Sequence, residues 1–144
     1  MLHKISIASD HAGYLLKEIL KEHLKQRGYT FFDKGCYSDE RADYPDFGHA
    51  AAIDVQNGSS NLAIIICGSG NGINMSANKH KNIRSALCWN SEIAKLARAH
   101  NNANVLALPA RFITEQEAKL IVDSFLETKF EGGRHSLRVE KINC

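Results

Sequence analysis

Five short apolar stretches alternate with longer amphipathic stretches along the chain. The short stretches are rich in β-branched residues, which is typical of buried strands, and they cover residues 4–9, 29–33, 61–67, 83–88 and 104–108. In the first long stretch, apolar residues recur at helical spacing, at positions 15, 16, 19, 20 and 24. Spacing and flanking residues predict helices over 14–27, 45–57, about 73–80, about 92–100, 114–128 and 134–141.

Capping residues mark several of the predicted helix ends. Gly28 follows the first helix, in the position where a left-handed residue commonly ends a helix. Pro45 suits the first turn of the second helix, and Asn90 or Ser91 suits the N-cap of the fourth. The segment from Thr114 to Glu117 has the spacing of a capping box, which predicts the start of the fifth helix.

Strands that alternate with helices in this way indicate βαβ units. Because crossovers between parallel strands are right-handed, the helices are expected to cover both faces of one parallel sheet. The sequence therefore predicts a single α/β domain over residues 1–144, a three-layer sandwich with a five-stranded parallel sheet and an extra C-terminal helix.

Composition narrows the class of protein. The chain has 144 residues, 44% of them hydrophobic and 24% charged, with a net charge of +2, so neither a nucleic-acid partner nor a membrane is expected. No long apolar segment follows Met1, which favours a cytoplasmic protein. The cysteines at 36, 67, 88 and 144 form no Cys-x-x-Cys, and the seven histidines have no zinc spacing, so neither a disulfide framework nor a metal site is expected.

The segment 67–72, Cys-Gly-Ser-Gly-Asn-Gly, joins the third strand to the following helix. Its glycines let backbone amides converge, and the helix N-terminus adds partial positive charge; both favour an anion, either a bound oxyanion or the thiolate of Cys67. The alternatives are a buried Cys67 that acts as a small hydrophobe and a glycine-rich tight turn. A P-loop and a dinucleotide fingerprint are both excluded, because Ile73 stands where each requires another residue.

Other polar residues follow the predicted strands at the same sheet edge. These are Asp10 and His11 after the first strand, Cys67 and Ser69 after the third, and Arg111 after the fifth. Ligands of parallel sheets bind at this edge, so the convergence indicates a functional site. Each residue also has an ordinary explanation: Asp10 as a helix cap, and His11 and Arg111 as solvated side chains.

Three further residues stand out in helices. Arg134 and Arg138 are four residues apart, so on a helix they share a face and can grip one anion, although solvated charges are the usual case. His100 closes the fourth helix, where a histidine is also common without any catalytic role.

Motifs spread over nearly the whole chain make it similar to the type B ribose-5-phosphate isomerases, in the family that also holds galactose-6-phosphate and allose-6-phosphate isomerases. The matching segments are 8–13, 43–45, 67–72, 76–79, 83–88, 99–101 and 104–111, with Arg134 and Arg138. The resemblance implies a flavodoxin- or Rossmann-like sheet, a homodimer and aldose–ketose isomerisation without a cofactor or metal, as in the pentose phosphate pathway.

The resemblance also implies a role for each matching residue. Cys67 is the base that moves a proton between C1 and C2, while Ser69 and the loop amides of Gly68, Gly70, Asn71 and Gly72 hold the enediolate. Asp10 and His100 serve ring opening; the phosphate is held by His11, Arg111, Arg134 and Arg138, and the sugar site is lined by Tyr44 and Asn101. Some members instead carry a glutamate base after the last loop glycine, where this chain has Ile73.

Three alternatives to a ribose 5-phosphate isomerase stay open on the sequence: a hexose 6-phosphate isomerase, a phosphosugar-binding module without turnover, and a redox protein that uses Cys67. Dimer, tetramer and a second kind of subunit are also open. The predicted helix that ends at His100 follows the fourth strand, so it runs antiparallel to the strands and away from the sheet edge that carries Cys67. This places His100 far from its own Cys67 and predicts a site shared between two subunits.

Overall fold

The computed structural model describes residues 3–143. Five strands form one sheet, namely β1 (Lys4–Ser9), β2 (Thr30–Asp33), β3 (Leu62–Cys67), β4 (Ser85–Leu87) and β5 (Val105–Pro109). Six helices separate and follow them, namely α1 (Tyr14–Gln26), α2 (Tyr44–Gln56), α3 (Asn71–Ala77), α4 (Ser91–Asn101), α5 (Glu115–Glu127) and α6 (Arg134–Glu140). All the strand pairings are parallel, in the order β2-β1-β3-β5-β4, so the predicted α/β sandwich is confirmed.

Two apolar layers cover the sheet, one on each face. The larger layer packs α1, α4 and α5 against alternate residues of the strands, such as Ile64 and Leu106. The smaller layer packs α2 and α3 against the intervening residues, including Ile65 and Cys67. Because both faces are buried, β3 is apolar along its whole length rather than alternating.

The order of the strands in the sheet determines where the candidate site lies. The chain leaves β1 toward α1 on one face, and it leaves β3 toward α3 on the other face. The two loops therefore diverge at the carboxyl ends of adjacent strands, which opens a crevice between Ser9 and Cys67. In addition, β5 pairs directly with β3, so the loop after Pro109 borders the same crevice.

Helix ends follow the predicted capping chemistry with one adjustment. Thr114 and Glu117 form the capping box reciprocally, and Gly28 has the left-handed backbone of a C′ residue, with φ of 79°. Helix α3 spans Asn71–Ala77 rather than the predicted 73–80, and it begins early because the chain already turns at its N-cap, Gly70, where φ is 77°. At its other end the side chain of Asn78 pairs with the backbone of Ser85, donating to its carbonyl at 3.0 Å and accepting from its N–H at 2.8 Å.

Candidate active site

Cys67 is the last residue of β3, and the loop after it is fixed by the neighbouring strand. The N–H of Ala110 donates to the carbonyl of Cys67 at 2.9 Å, and the N–H of Arg111 donates to that of Gly68 at 3.0 Å. Gly70 has φ of 77°, and a Cβ there would clash with Leu87 and lie 3.1 Å from the carbonyl carbon of Leu108. Only glycine lets the chain turn sharply enough to begin α3 at this point.

Arg111 reaches this loop from the end of β5. A Cβ at position 68 would lie 3.1 Å from Nη1 of Arg111, so the guanidinium group covers Gly68. The absence of a side chain at Gly68 thus makes room for a fixed positive charge beside Cys67, which is 4% exposed. An anion held in the crevice would be attracted to this charge.

The two residues after β1 are anchored in different ways. Asp10 is 6% exposed, and its Oδ1 accepts from the N–H of Gly13 at 3.1 Å, which closes the turn that leads into α1. The N-cap of that helix is Gly13 rather than Asp10. His11 lies against the loop before α2, where its Nδ1 is 3.2 Å from the backbone nitrogen of Ala42 and 3.1 Å from the carbonyl oxygen of the same residue. The backbone of Ala42 can therefore hold the ring through Nδ1 in either tautomer.

Ser69 and Asn71 form a small polar unit on the loop. The backbone N–H and the side-chain amide of Asn71 each donate to Oγ of Ser69 at 3.3 Å. Because Oγ accepts both bonds, the hydroxyl proton of Ser69 is available to donate to a bound molecule.

These residues surround one cavity of about 400 Å³. Its walls are Asp10, His11, Ala12, Tyr44, Cys67, Gly68, Ser69, Gly72, Arg111 and Phe112. An adjoining cavity of about 420 Å³ shares Asp10, His11 and Tyr44 and extends over residues 41–46. The predicted convergence of strand ends is thus present, and Gly70 and Asn71 belong to the same loop.

Seven residues at these cavities were not predicted as site residues, namely Ala12, Arg41, Ala42, Asp43, Pro45, Asp46 and Phe112. Ala12 directly follows His11, and Phe112 directly follows Arg111, so their positions just after strand ends could have identified them from the sequence. Arg41 lies in the polar segment before α2, and only the tertiary contact between Ala42 and His11 brings it to the crevice.

Six predicted residues do not line the cavity that holds Cys67. Two of them, Gly70 and Asn71, lie beside it where the loop enters α3, and the other four lie elsewhere. His100 closes α4 near the start of β5, at the opposite edge of the sheet, and Asn101 lines a separate cavity of about 780 Å³ around residues 78–86. Arg134 and Arg138 both lie on α6, four residues apart as predicted. One chain therefore brings together Cys67, Ser69, Asp10, His11 and Arg111, and it leaves His100 and the two helical arginines elsewhere.

His100 has its own polar surroundings. Its ring stacks on that of His135, with centroids 4.2 Å apart and planes 12° from parallel. Glu131 Oε2 lies 3.8 Å from Nε2 of His100 and 3.5 Å from Nε2 of His135. Burial lowers the pKa of His135, and the positive charges of His100 and Arg134 lower it further.

The described cysteines argue against a redox pair with Cys67. Cys36, Cys67 and Cys88 are free and buried, while Cys144 lies outside the described residues. Cys36 pairs with Ser9 beside β1, and Cys88 pairs with Ala107 on β5, so each is two strands away from β3. Two strand spacings amount to about 10 Å, beyond the Cα separation of a disulfide.

Among residues 3–143, no helix has the length and apolar character that crossing a membrane requires.

Comparisons with known proteins agree with the motifs. The model of the ribose/galactose isomerase family matches residues 5–142. Ribose-5-phosphate isomerase B of Escherichia coli is 43% identical over 143 residues, which are 99% of this chain and 96% of that protein.

Solved structures give the same relationship in three dimensions. Ribose-5-phosphate isomerase B of Clostridium thermocellum superposes with a TM-score of 0.96 at 48% identity, covering 96% of this chain and 94% of that one. Ribose-5-phosphate isomerase B of Mycoplasma genitalium, solved with bound ribulose 5-phosphate, superposes with a TM-score of 0.92 at 49% identity, covering 96% of this chain and 93% of that one.

Proposed function

The chain belongs to the ribose/galactose isomerase family, and we propose that it interconverts ribose 5-phosphate and ribulose 5-phosphate. The observation that carries this proposal is the cavity itself, where a thiol, a hydroxyl, a carboxylate and a cation meet at the switch point of a parallel sheet. A related structure holds ribulose 5-phosphate, the product expected of this reaction.

Cys67 is the proposed base. Its thiolate takes the proton from C2 of the open-chain aldose, and the electrons of that C–H bond form an enediolate across C1 and C2. The thiol then returns the proton to C1, and a proton that passes from the C2 hydroxyl to the C1 oxygen leaves a ketone at C2. The other position used for the base in this family is Ile73 here, which is fully buried and has no proton to exchange.

The loop after Cys67 is proposed to hold the negative charge of the enediolate. The Ser69 hydroxyl has a free proton, and the first amides of α3 have no acceptor within the helix. Donors that face a charge which develops only in the transition state contribute about 3 kcal/mol each. Asp10 lies on the wall of the same cavity and is the proposed partner of His100 in opening the sugar ring.

The phosphate is proposed to sit between basic side chains from three parts of the chain. His11 and Arg111 lie on the cavity wall, while Arg134 and Arg138 share α6. Because the phosphate is remote from C1 and C2, these contacts orient the substrate rather than take part in proton transfer. Tyr44 and Asn101 line the proposed sugar site.

A complete site requires a second subunit. His100, Asn101 and the α6 arginines lie outside the Cys67 cavity of their own chain. A two-fold homodimer places them over the partner's cavity and forms two equivalent sites. Free buried cysteines and a phosphorylated substrate suit an enzyme that works in the reducing cytoplasm.

The decisive experiment is a coupled assay that follows ribulose 5-phosphate formation from ribose 5-phosphate, with allose 6-phosphate and galactose 6-phosphate assayed in parallel. We expect the highest kcat/KM with ribose 5-phosphate and the loss of turnover in Cys67→Ala. Binding of ribose 5-phosphate without turnover by the wild-type protein would instead indicate a binding module, and faster turnover of a hexose phosphate would reassign the substrate.

A further inference from the structure

A group of three metal-ligating side chains lies away from Cys67, and the proposed function does not require a metal there. His100, Glu131 and His135 each present one ligand atom, and these three atoms lie within 4.8 Å of one another. His100 closes α4, Glu131 precedes the glycine pair at 132–133, and His135 lies in the first turn of α6. Two imidazoles and a carboxylate are the ligand set of many zinc sites that keep one open position.

The backbone holds the three residues together. The N–H of Glu131 donates to the carbonyl of Ala99 at 3.0 Å, which ties the connecting loop to the end of α4. The N–H of His135 donates to the carbonyl of Gly132 at 3.0 Å, which closes the loop into α6. These main-chain contacts hold together the backbone segments from which the three side chains extend.

Both distances from the carboxylate to the histidines are close to those of a tetrahedral site. Ligand atoms around Zn²⁺ lie about 3.3 Å apart, given bonds of about 2.0–2.1 Å. Glu131 Oε2 is 3.5 Å from Nε2 of His135 and 3.8 Å from Nε2 of His100. The two rings are stacked nearly parallel, so one must turn before both lone pairs meet one ion. Within a single chain His100 has more room to do so, because its side chain is 37% exposed, whereas that of His135 is 8% exposed.

A second histidine pair in the chain is a useful contrast. His49 Nδ1 and His80 Nε2 lie 2.7 Å apart, but that pair has no carboxylate or third imidazole within the same reach among residues 3–143. Two ligands hold a divalent ion far less well than three, so this pair serves as an internal control.

We propose that His100, Glu131 and His135 bind a Zn²⁺-type divalent cation and that this binding inhibits the enzyme. The ion takes the Nε2 lone pair of His100, so that nitrogen can no longer accept or donate a proton. The inhibition rests on the proposed function, in which His100 serves ring opening, whereas the binding itself does not. The site is thus an inhibitory one, and catalysis proceeds without the ion.

Binding is tested with Co²⁺, whose visible spectrum reports four-coordinate nitrogen and oxygen ligands, on untagged full-length protein. We expect the wild type to bind one Co²⁺ per chain at this site, and Glu131→Gln to bind at least about tenfold more weakly. Glu127→Gln is the matched control, because Glu127 is similarly exposed and contacts Arg27 rather than a histidine. Equal affinities in the wild type and Glu131→Gln would overturn the proposal, as would loss of the spectrum in His80→Gln.

Inhibition is tested with buffered Zn²⁺, and each variant's rate is expressed as a fraction of its own rate in EDTA. The wild type and Glu127→Gln should lose activity and regain it in EDTA, while Glu131→Gln should need at least about tenfold more Zn²⁺. Equal sensitivity of Glu131→Gln would place the inhibitory ion elsewhere and refute the inference. A protein that binds Co²⁺ as expected but never turns over ribose 5-phosphate would refute the proposed function alone, and an active protein without the spectrum would refute the metal site alone.

Discussion

The ring of Tyr44 lies so close to the backbone of Gly72 that a Cβ at position 72 would stand 2.5 Å from Cζ of the tyrosine. Tyr44 opens α2 and Gly72 lies in the first turn of α3, so this contact joins two helices at the wall of the cavity. The tyrosine ring can therefore occupy this position only because residue 72 has no side chain.

Gly72→Ala is expected to displace the Tyr44 ring without unfolding the protein. Tyr44 is 41% exposed, so its ring can swing into solvent. Because a displaced group that contacts substrate costs on the order of tenfold or more in rate, we expect kcat/KM to fall by about tenfold. The check is non-additivity: Tyr44→Ala with Gly72→Ala should be no worse than Tyr44→Ala alone. If the losses of kcat/KM in the two single variants were instead additive, Gly72 would not act through the position of the Tyr44 ring.

Cys67→Ala is expected to abolish turnover while ribose 5-phosphate still binds within about tenfold of wild type, because the phosphate contacts are separate from the base. Cys88→Ala is the matched control. Burial raises the pKa of Cys88 to about 12, so its thiol stays protonated and takes no part in proton transfer. Turnover of Cys67→Ala within an order of magnitude of wild type would remove Cys67 as the base.

Arg134→Ala and Arg138→Ala are each expected to raise KM for ribose 5-phosphate, each losing a charge-assisted contact of about 2 kcal/mol, or roughly 30-fold. Lys141→Ala removes a charge just beyond the same helix and should leave KM nearly unchanged. Unphosphorylated ribose should be a very poor substrate for the wild type. Comparable turnover of ribose and ribose 5-phosphate would contradict the assignment of these arginines.

Mixing inactive Cys67→Ala with inactive His100→Ala is expected to restore activity. If each site combines Cys67 from one subunit with His100 from its partner, every mixed dimer holds one intact site. At full exchange, half of the dimers are mixed, so about one quarter of the wild-type activity should return. Subunit exchange is verified by a tag on one chain. Verified mixed dimers that remain inactive would place both residues in one subunit's site.

Asp33→Asn is expected to lower the free energy of unfolding by about 3 kcal/mol at neutral pH, because it leaves the fully buried Lys17 without its carboxylate. Burial alone would raise the pKa of Asp33, but hydrogen bonds from Lys17 and Lys21 outweigh it and hold that pKa below its usual value. This stabilisation is therefore present above about pH 4 and is lost as the pH falls through the lower folded-state pKa.

Urea unfolding of wild type and Asp33→Asn across this pH range measures the difference, which should shrink steadily below about pH 4. Glu115→Gln is the control, since Glu115 pairs with Lys119 at the surface, away from Asp33, and should cost under about 1 kcal/mol. A difference that does not depend on pH would assign the loss to packing instead.

The sequence by itself determined the elements and the residues at their ends. The capping box of Thr114 and Glu117 and the left-handed Gly28 are decided by neighbours within four residues, so local chemistry suffices to predict them. The sequence also predicted that Asp10, Cys67 and Arg111 meet, because parallel strands deliver their carboxyl ends to one edge whatever their order.

Tertiary structure alone decided the strand order and the contacts between distant loops. Because β5 lies between β3 and β4, Arg111 is placed over Gly68. The loop before α2 reaches His11 through a long-range contact at Ala42. The cluster of His100, Glu131 and His135 spans three elements with no motif spacing. Hydrophobic periodicity records which face of an element is buried but not which partner buries it. Such contacts follow from the packing of the whole chain, and no short stretch of sequence encodes them.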